Sequence, residues 1–290
     1  MRDFTSFACI DWSGQAVARP KGLAVAICET GSNAPELIRP DGGWSRGHIL
    51  DWLRQQAAAG ANLLVGLDLS PALPYADRTA YFPGWPSSPA DARALWAMVN
   101  SAGNEASDLL CSTGFLARPE ARRHFRLHRE QGDAYPPGRG RLRRCEEGQA
   151  AMGLSPYSCF NLVGAAQVGK SSLTGMRVLH RLAGQVPVWP FDPVPAQGPV
   201  IVEIYTALAA RAAGMPRGRS KIRDGSTLDT ALAALGSDAH VPLARYDDHS
   251  TDAILTAAWL RHAAADASLW SPAGLTPEIA RTEGWTFGVT

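Results

Sequence analysis

Three strand-like segments precede the first helix of this chain, and that order restricts the folds open to it. Phe7–Ile10 and Leu23–Cys28 are apolar and β-compatible, with the turn Arg19-Pro20-Lys21-Gly22 between them. Glu36–Arg39 is a short third segment, broken by Pro40-Asp41-Gly42-Gly43. A helix is predicted from an N-cap at Ser45 to a stop at Gly60, because Ile49, Leu50, Leu53 and Ala57 recur at helical spacing. The fourth strand, Leu63–Asp68, follows. A Rossmann or P-loop domain normally passes from its first strand directly into a helix. Here a meander comes first, and a right-handed crossover then sets the fourth strand parallel to the first and beside it.

Both of those neighbouring strands run into an aspartate: Ile10-Asp11-Trp12-Ser13-Gly14 and Gly66-Leu67-Asp68-Leu69-Ser70. A carboxylate at the end of an apolar strand is costly to desolvate without a partner. A third acid, Asp252, belongs to His249-Ser250-Thr251-Asp252, which opens a helix predicted over about Ser250–Ala265. Its spacing to Leu255 and Trp259 puts Asp252 on an inward-facing stripe, and His249 lies three residues before it on the same side. Asp11, Asp68 and Asp252 thus form a candidate site, with Glu203 on the later strand Val200–Tyr205 and His249 nearby. Carboxylates about 4 Å apart repel by roughly 4 kcal/mol at an effective dielectric near 20. The expected remedy is two Mg²⁺ or Mn²⁺ ions, which suit phosphoryl displacement. For Glu203, an ion pair with an arginine is an equal alternative.

The rest of the chain narrows the setting. With 290 residues, 46% of them hydrophobic and 19% charged, it is long enough for one large domain carrying an insertion. No apolar run approaches the roughly 20 residues of a membrane span, and no signal-peptide pattern opens the chain. Cys9, Cys28, Cys111, Cys145 and Cys159 are odd in number and scattered, which argues against a disulfide framework and for a reducing, cytoplasmic setting. A net charge of +1 conceals basic clusters: Arg118, Arg122, Arg123, Arg126 and Arg129, then Arg139, Arg141, Arg143 and Arg144, and later Arg217, Arg219, Lys221 and Arg223. Such patches suit a phosphate backbone, although a solvated or ion-paired face is the plainer alternative. The stretch from about 75 to 198, rich in Arg and Pro, is expected to form an insertion after the fourth strand. Within it an ordered loop is expected over Tyr75–Pro89, and a helix starting at Ser88-Pro89 and running through Ala92, Leu95, Trp96 and Val99. Its Arg-rich stretch and Pro136-Pro137-Gly138-Arg139-Gly140 are expected to be exposed and partly mobile.

Gly164-Ala165-Ala166-Gln167-Val168-Gly169-Lys170-Ser171 satisfies the P-loop pattern letter for letter. The preceding Phe160-Asn161-Leu162-Val163 is short for a buried strand, however, and the motif falls after the main sheet has begun. The expectation is a loop near the acidic site, with Lys170 touching a substrate phosphate.

The four motifs around Asp11, Asp68, Glu203 and Asp252, with the tail Glu283-Gly284-Trp285-Thr286-Phe287-Gly288, resemble the domain-of-unknown-function 429 family, described as predicted RNase H-like nucleases. The set is more distantly similar to Holliday-junction resolvases. The resemblance spans nearly the whole chain, and the Arg-rich middle matches least. It implies an α/β, RNase H-like domain over 1–290: a mixed five-stranded sheet of order 3-2-1-4-5, flanked by helices and interrupted by the insertion. It implies a metal-dependent nuclease acting on DNA or RNA, with Asp11, Asp68, His249 and Asp252 catalytic. Metal would sit on Asp11, Asp68, Glu203 and Asp252, and phosphate on Lys170, Arg141, Arg143 and Arg144. Two alternatives stand beside it: an actin-like or P-loop nucleotide-binding protein, and a non-catalytic nucleic-acid-binding module.

Overall fold

The computed structural model describes residues 2–102, 109, 113–128, 130–164, 167–216 and 221–290. Cys111, Arg129, Ala165, Ala166, Arg217 and Arg219, named above, lie outside the described residues. The opening meander consists of β1 (Ser6–Asp11), β2 (Ala24–Glu29) and β3 (Glu36–Ile38), all antiparallel. Helix α1 (Arg46–Ala58) starts where the Ser45 side chain accepts from the His48 amide at 3.0 Å. Strand β4 (Leu63–Leu67) then pairs with β1 in parallel.

Next come α2 (Ala92–Ala102), the one-turn helices α3 (Thr113–Leu116) and α4 (Pro119–Arg122), and a small hairpin of β5 (Arg126–Leu127) and β6 (Glu130–Gln131). Helices α5 (Arg144–Ala151) and α6 (Val168–Leu182) follow. Strands β7 (Val188–Trp189) and β8 (Val200–Glu203) return to the main sheet. The chain ends with α7 (Thr206–Ala212), α8 (Gly225–Ala234), α9 (Asp248–Ala263) and α10 (Pro277–Thr282).

The architecture is mixed α/β, with a six-stranded sheet of order β3-β2-β1-β4-β8-β7. Five strands were expected from the sequence. The sixth is the two-residue β7, added outside β8 and bounded by Pro187 and Pro190. A segment that short and flanked by proline carries no alternation to read. Helix α2 also begins later than the Ser88-Pro89 start expected from sequence, because Asp91 accepts from the Ala94 amide at 2.8 Å and caps it there.

Side chains alternate strictly across the sheet. Phe7, Cys9, Leu64, Val200 and Val202 face α7, α8 and α9, whereas Ala8, Ile10, Val65 and Ile201 face α1, α2 and α6. Gly66 permits the first of these contacts: a Cβ there would lie 2.8 Å from Leu260 of α9 and 2.9 Å from Ile204.

The middle of the chain departs from expectation. Phe115, Phe125, Tyr135 and Phe160 are buried in one cluster with the residues of α1, α2 and α6. The Arg-rich stretch, expected to be exposed, therefore helps complete one face of the core. Its aromatic residues, spaced among arginines, supply the apolar area that the arginines mask in the composition. Among the described residues, no helix is long and apolar enough to cross a membrane.

Candidate functional site

The parallel register of β1 and β4 aligns Ile10 with Leu67, so Asp11 and Asp68 are the next pair along. The Asp68 amide donates to the Ile10 carbonyl at 3.0 Å, which fixes the two strand ends against each other. Period two then decides where the acids point. Asp11 shares a face with Phe7 and Cys9, and Asp68 shares it with Leu64 and Gly66, so both turn toward α9. Helix α9 begins at an Asp247 cap, whose carboxylate accepts from the Ser250 amide at 3.0 Å. That start places His249 and Asp252 over the two strand ends. His249 Nδ1 lies 3.2 Å from Asp11 Oδ1, and Asp252 retains 17% side-chain exposure.

The electrostatics are those of crowded, poorly compensated acids. Burial pushes the Asp68 carboxyl well above its ordinary range, and the charges of Asp11 and Asp252 push it further. Among the described residues its carboxylate has no hydrogen-bond or ion-pair partner. Asp11 is also raised by burial, with the His249 hydrogen bond opposing. Asp252 is raised by burial to about 6, against the pull of Lys221. The Cys9 thiol, one step down β1 on the same face, is pushed well up by burial and by all three carboxylates. The Lys221 ammonium stands 3.3 Å from Asp252 Oδ2 and 3.3 Å from Asp248 Oδ2. Burial works against its charge, yet the two acids hold its pKa up. Asp248 also pairs with Arg223.

A pH dependence follows. Asp252 titrates near 3.8 when unfolded and near 6 when folded, so the folded chain holds the extra proton between those values. The stability this supplies is complete below about pH 3.8 and is lost as pH rises through about 6. Without divalent cation, Asp252→Asn is expected to match wild type in Tm at pH 4 and exceed it by pH 7. Parallel melting curves across pH 4–8 check this; a constant difference would show that Asp252 is not strained.

Glu203 lines the same cavity as Asp68 and its charge adds to the strain there, but it does not face α9 with the other three acids. It lies on the opposite face of β8 from Val202 and meets the fully buried Arg143 instead. Arg143 Nη2 and Nη1 donate to its two oxygens at 2.5 and 2.7 Å, and the Thr286 hydroxyl donates to Oε1 at 2.7 Å. The ion-pair alternative weighed for Glu203 is the one this geometry supports. Arg143 also donates to Glu146 Oε1 (3.0 Å) and the Ser70 hydroxyl (3.0 Å), so its fork is committed to the interior. Arg141 is likewise buried, donating to Asp77 at 2.6 and 2.8 Å and to the carbonyls of Pro74, Ala80 and Tyr81. Arg144 pairs with Glu147 at 2.7 Å. Arg122 pairs with Glu130 and Arg123 with Asp133. Arg141 and Arg143 are thereby committed to carboxylates inside the fold, against the expectation that they grip phosphate together with Arg144, which stays about half exposed. Asp77 and Glu203 lie 64 and 60 residues from Arg141 and Arg143 and could not be matched by spacing, whereas Glu146 and Glu147 stand three residues after Arg143 and Arg144.

Lys170 does reach the site region, but from a helix and not from a loop. It lies in the first turn of α6, and the turn after β1 packs on it: a Cβ on Gly14 would fall 2.5 Å from the Ser171 amide. No buried strand precedes Gly164, where Asn161 makes only an isolated bridge to Arg126. A cavity of about 1100 Å³ opens here over the ends of β1 and β4, lined by Ser13, Asp68, Tyr157, Lys170, Tyr205 and His249 among others. Sequence reasoning did not find Tyr157 and Tyr205 for this wall, nor Lys221 as the counter-charge of Asp252. No local signal links residues so far apart.

Among the described residues, no three His, Cys, Asp or Glu side chains converge as they stand on a point that could hold a metal ion. The donor chemistry is still that of a hard divalent cation: three carboxylates, one of them unpartnered among the described residues, with His249 on Asp11 and Lys221 on Asp252 as compensating groups. Compared with known proteins, the chain matches no family model, no curated protein and no solved structure. Fold and site together define a mixed α/β protein with an acidic cluster where two parallel strands meet a helix start.

Proposed function

We propose that this protein is an RNase H-like, divalent-cation-dependent phosphodiesterase acting on nucleic acid. The observation that carries the reading is the single face shared by Asp11, Asp68, His249 and Asp252, with the Asp68 carboxylate half-buried and, among the described residues, unpartnered. The inner sheet order β3-β2-β1-β4-β8 is in keeping with the resemblance found in the sequence. Asp11, Asp68 and Asp252 would hold Mg²⁺ or Mn²⁺, with Asp252 turning away from Lys221 to do so. When bound, the cation supplies Lewis-acid polarisation of the phosphate and an activated water. His249, held through Nδ1 by Asp11, keeps its other ring nitrogen for a proton at the reacting oxygen. Lys170 at the start of α6 neutralises a non-reacting phosphate.

The test is thermal unfolding and oligonucleotide cleavage, each with and without Mn²⁺ or Mg²⁺. A cation at about 100 times its Kd is expected to add roughly 2.7 kcal/mol of stability, and cleavage is expected only in its presence. Cleavage unaffected by chelator, or no stabilisation by either ion, would overturn the proposal.

A further inference from the structure

Resting on that reading, we infer that the substrate enters as a single strand, with one base stacked on Tyr157. The first observation is the shape of the approach. Asp68 is reached through the cavity of about 1100 Å³, and Asp11 is only 5% exposed. That volume equals a sphere about 13 Å across, close to the roughly 12 Å width of a duplex's major groove alone, so a whole duplex does not fit inside. A phosphate must therefore be carried inside on an unpaired backbone to meet Asp68.

The second observation is what stands at the rim. Tyr157 (49% exposed) and Val17 (48%) are two of the three large apolar side chains left most open among the described residues, and both line this cavity. An exposed tyrosine beside an acid-floored cavity is a stacking surface, and stacking tolerates any base because every base has a π-face. The third observation is charge. Arg19 and Lys21, from the loop joining β1 to β2, and Lys170 from α6 line the same cavity. They give a backbone cationic partners on two sides while the base rests on Tyr157. Single-stranded polynucleotide is the class that combines a flat apolar face with a phosphate at every step.

The experiment is fluorescence anisotropy in chelator, with a labelled 12-nucleotide single strand and the same sequence as a duplex. The single strand is expected to bind at least tenfold tighter. Tyr157→Ala is expected to weaken single-strand binding by about tenfold, with Tyr157→Phe and Tyr157→Trp restoring it. Lys170→Ala is expected to reduce the slope of log K against log salt by about one phosphate contact. Equal or tighter duplex binding, no binding of either form, or indifference to Tyr157→Ala overturns the inference. Cation-dependent cleavage of duplex without single-strand preference overturns it too, while leaving the nuclease reading intact. Tyr157-dependent single-strand binding without cleavage in Mg²⁺ or Mn²⁺ supports it and removes the nuclease reading instead.

Discussion

Asp68→Asn is expected to make the cation-free protein more stable above pH 7 and, in the same step, to remove its cation-dependent activity. Burial and the charges of Asp11 and Asp252 oppose ionisation of this carboxyl, and no described group pairs with it. The amide keeps the shape and removes the charge. Since the folded pKa is raised, the stability tied to the proton is present at low pH and lost as pH rises through the folded value. The gain from the variant is therefore absent near pH 4 and complete above the folded pKa. A gain of about 1–2 kcal/mol is typical when a strained functional group is relieved, or roughly 2–8 °C in Tm for a chain of this size. Cleavage is expected to fall by at least about 100-fold, and stabilisation by Mn²⁺ to vanish. A protein selected only for stability would not keep this carboxylate. Asp11→Asn should lose activity equally but gain less stability, because it also loses the His249 contact. A destabilised Asp68→Asn that still cleaves would show that the acid is structural.

The largest stability loss is expected at Arg143. Its guanidinium is fully buried and binds Glu203 of β8, Glu146 of α5, the Ser70 hydroxyl after β4 and the Glu283 carbonyl. One side chain thus ties the middle segment, the sheet and the C-terminal tail. Glu283 strengthens the same junction, its carboxylate accepting from the amides of Tyr75, Ala76 and Arg144. Removing one partner from a buried ionic network leaves the others charged in a dry site, which costs about 3–5 kcal/mol. Arg143→Met should therefore lower Tm by roughly 10 °C or more. Adding Glu146→Gln and Glu203→Gln should recover over half of that, because the stranded charges and not the lost contacts dominate the cost. Thermal melts of the single and triple variants decide this. If the triple variant is no better than the single, the network's geometry carries its stability and its charge balance does not.

These two sites also mark where the sequence could be read. Asp11, Asp68 and Asp252 are legible because each sits on a local pattern: two apolar strands in parallel register and an inward stripe of a helix. Their common face follows from period two once β1 and β4 are known to be neighbours. Glu203 is legible as a strand acid but not as to side, because Val200, Ile201, Val202 and Ile204 are apolar on both faces of a strand covered on both sides. The arginines are the clearest case of partner choice. Arg141, Arg143 and Arg144 look alike in sequence, yet two are buried in different ion pairs and one is exposed.

By itself the sequence determined the order of the first five elements, the three acids at strand and helix ends, and the neighbourhood of β1 and β4. Those features arise from caps, turns and periodicities set within a few residues. The tertiary structure alone decided the sixth strand, the burial of the middle segment, the Arg143–Glu203 pair and the cavity around Tyr157 and Lys170. Arg143 and Glu203 are 60 residues apart, and Lys221 and Asp252 are 31. Which charges meet over such separations is settled by how the layers close and exclude water, and no local spacing records that.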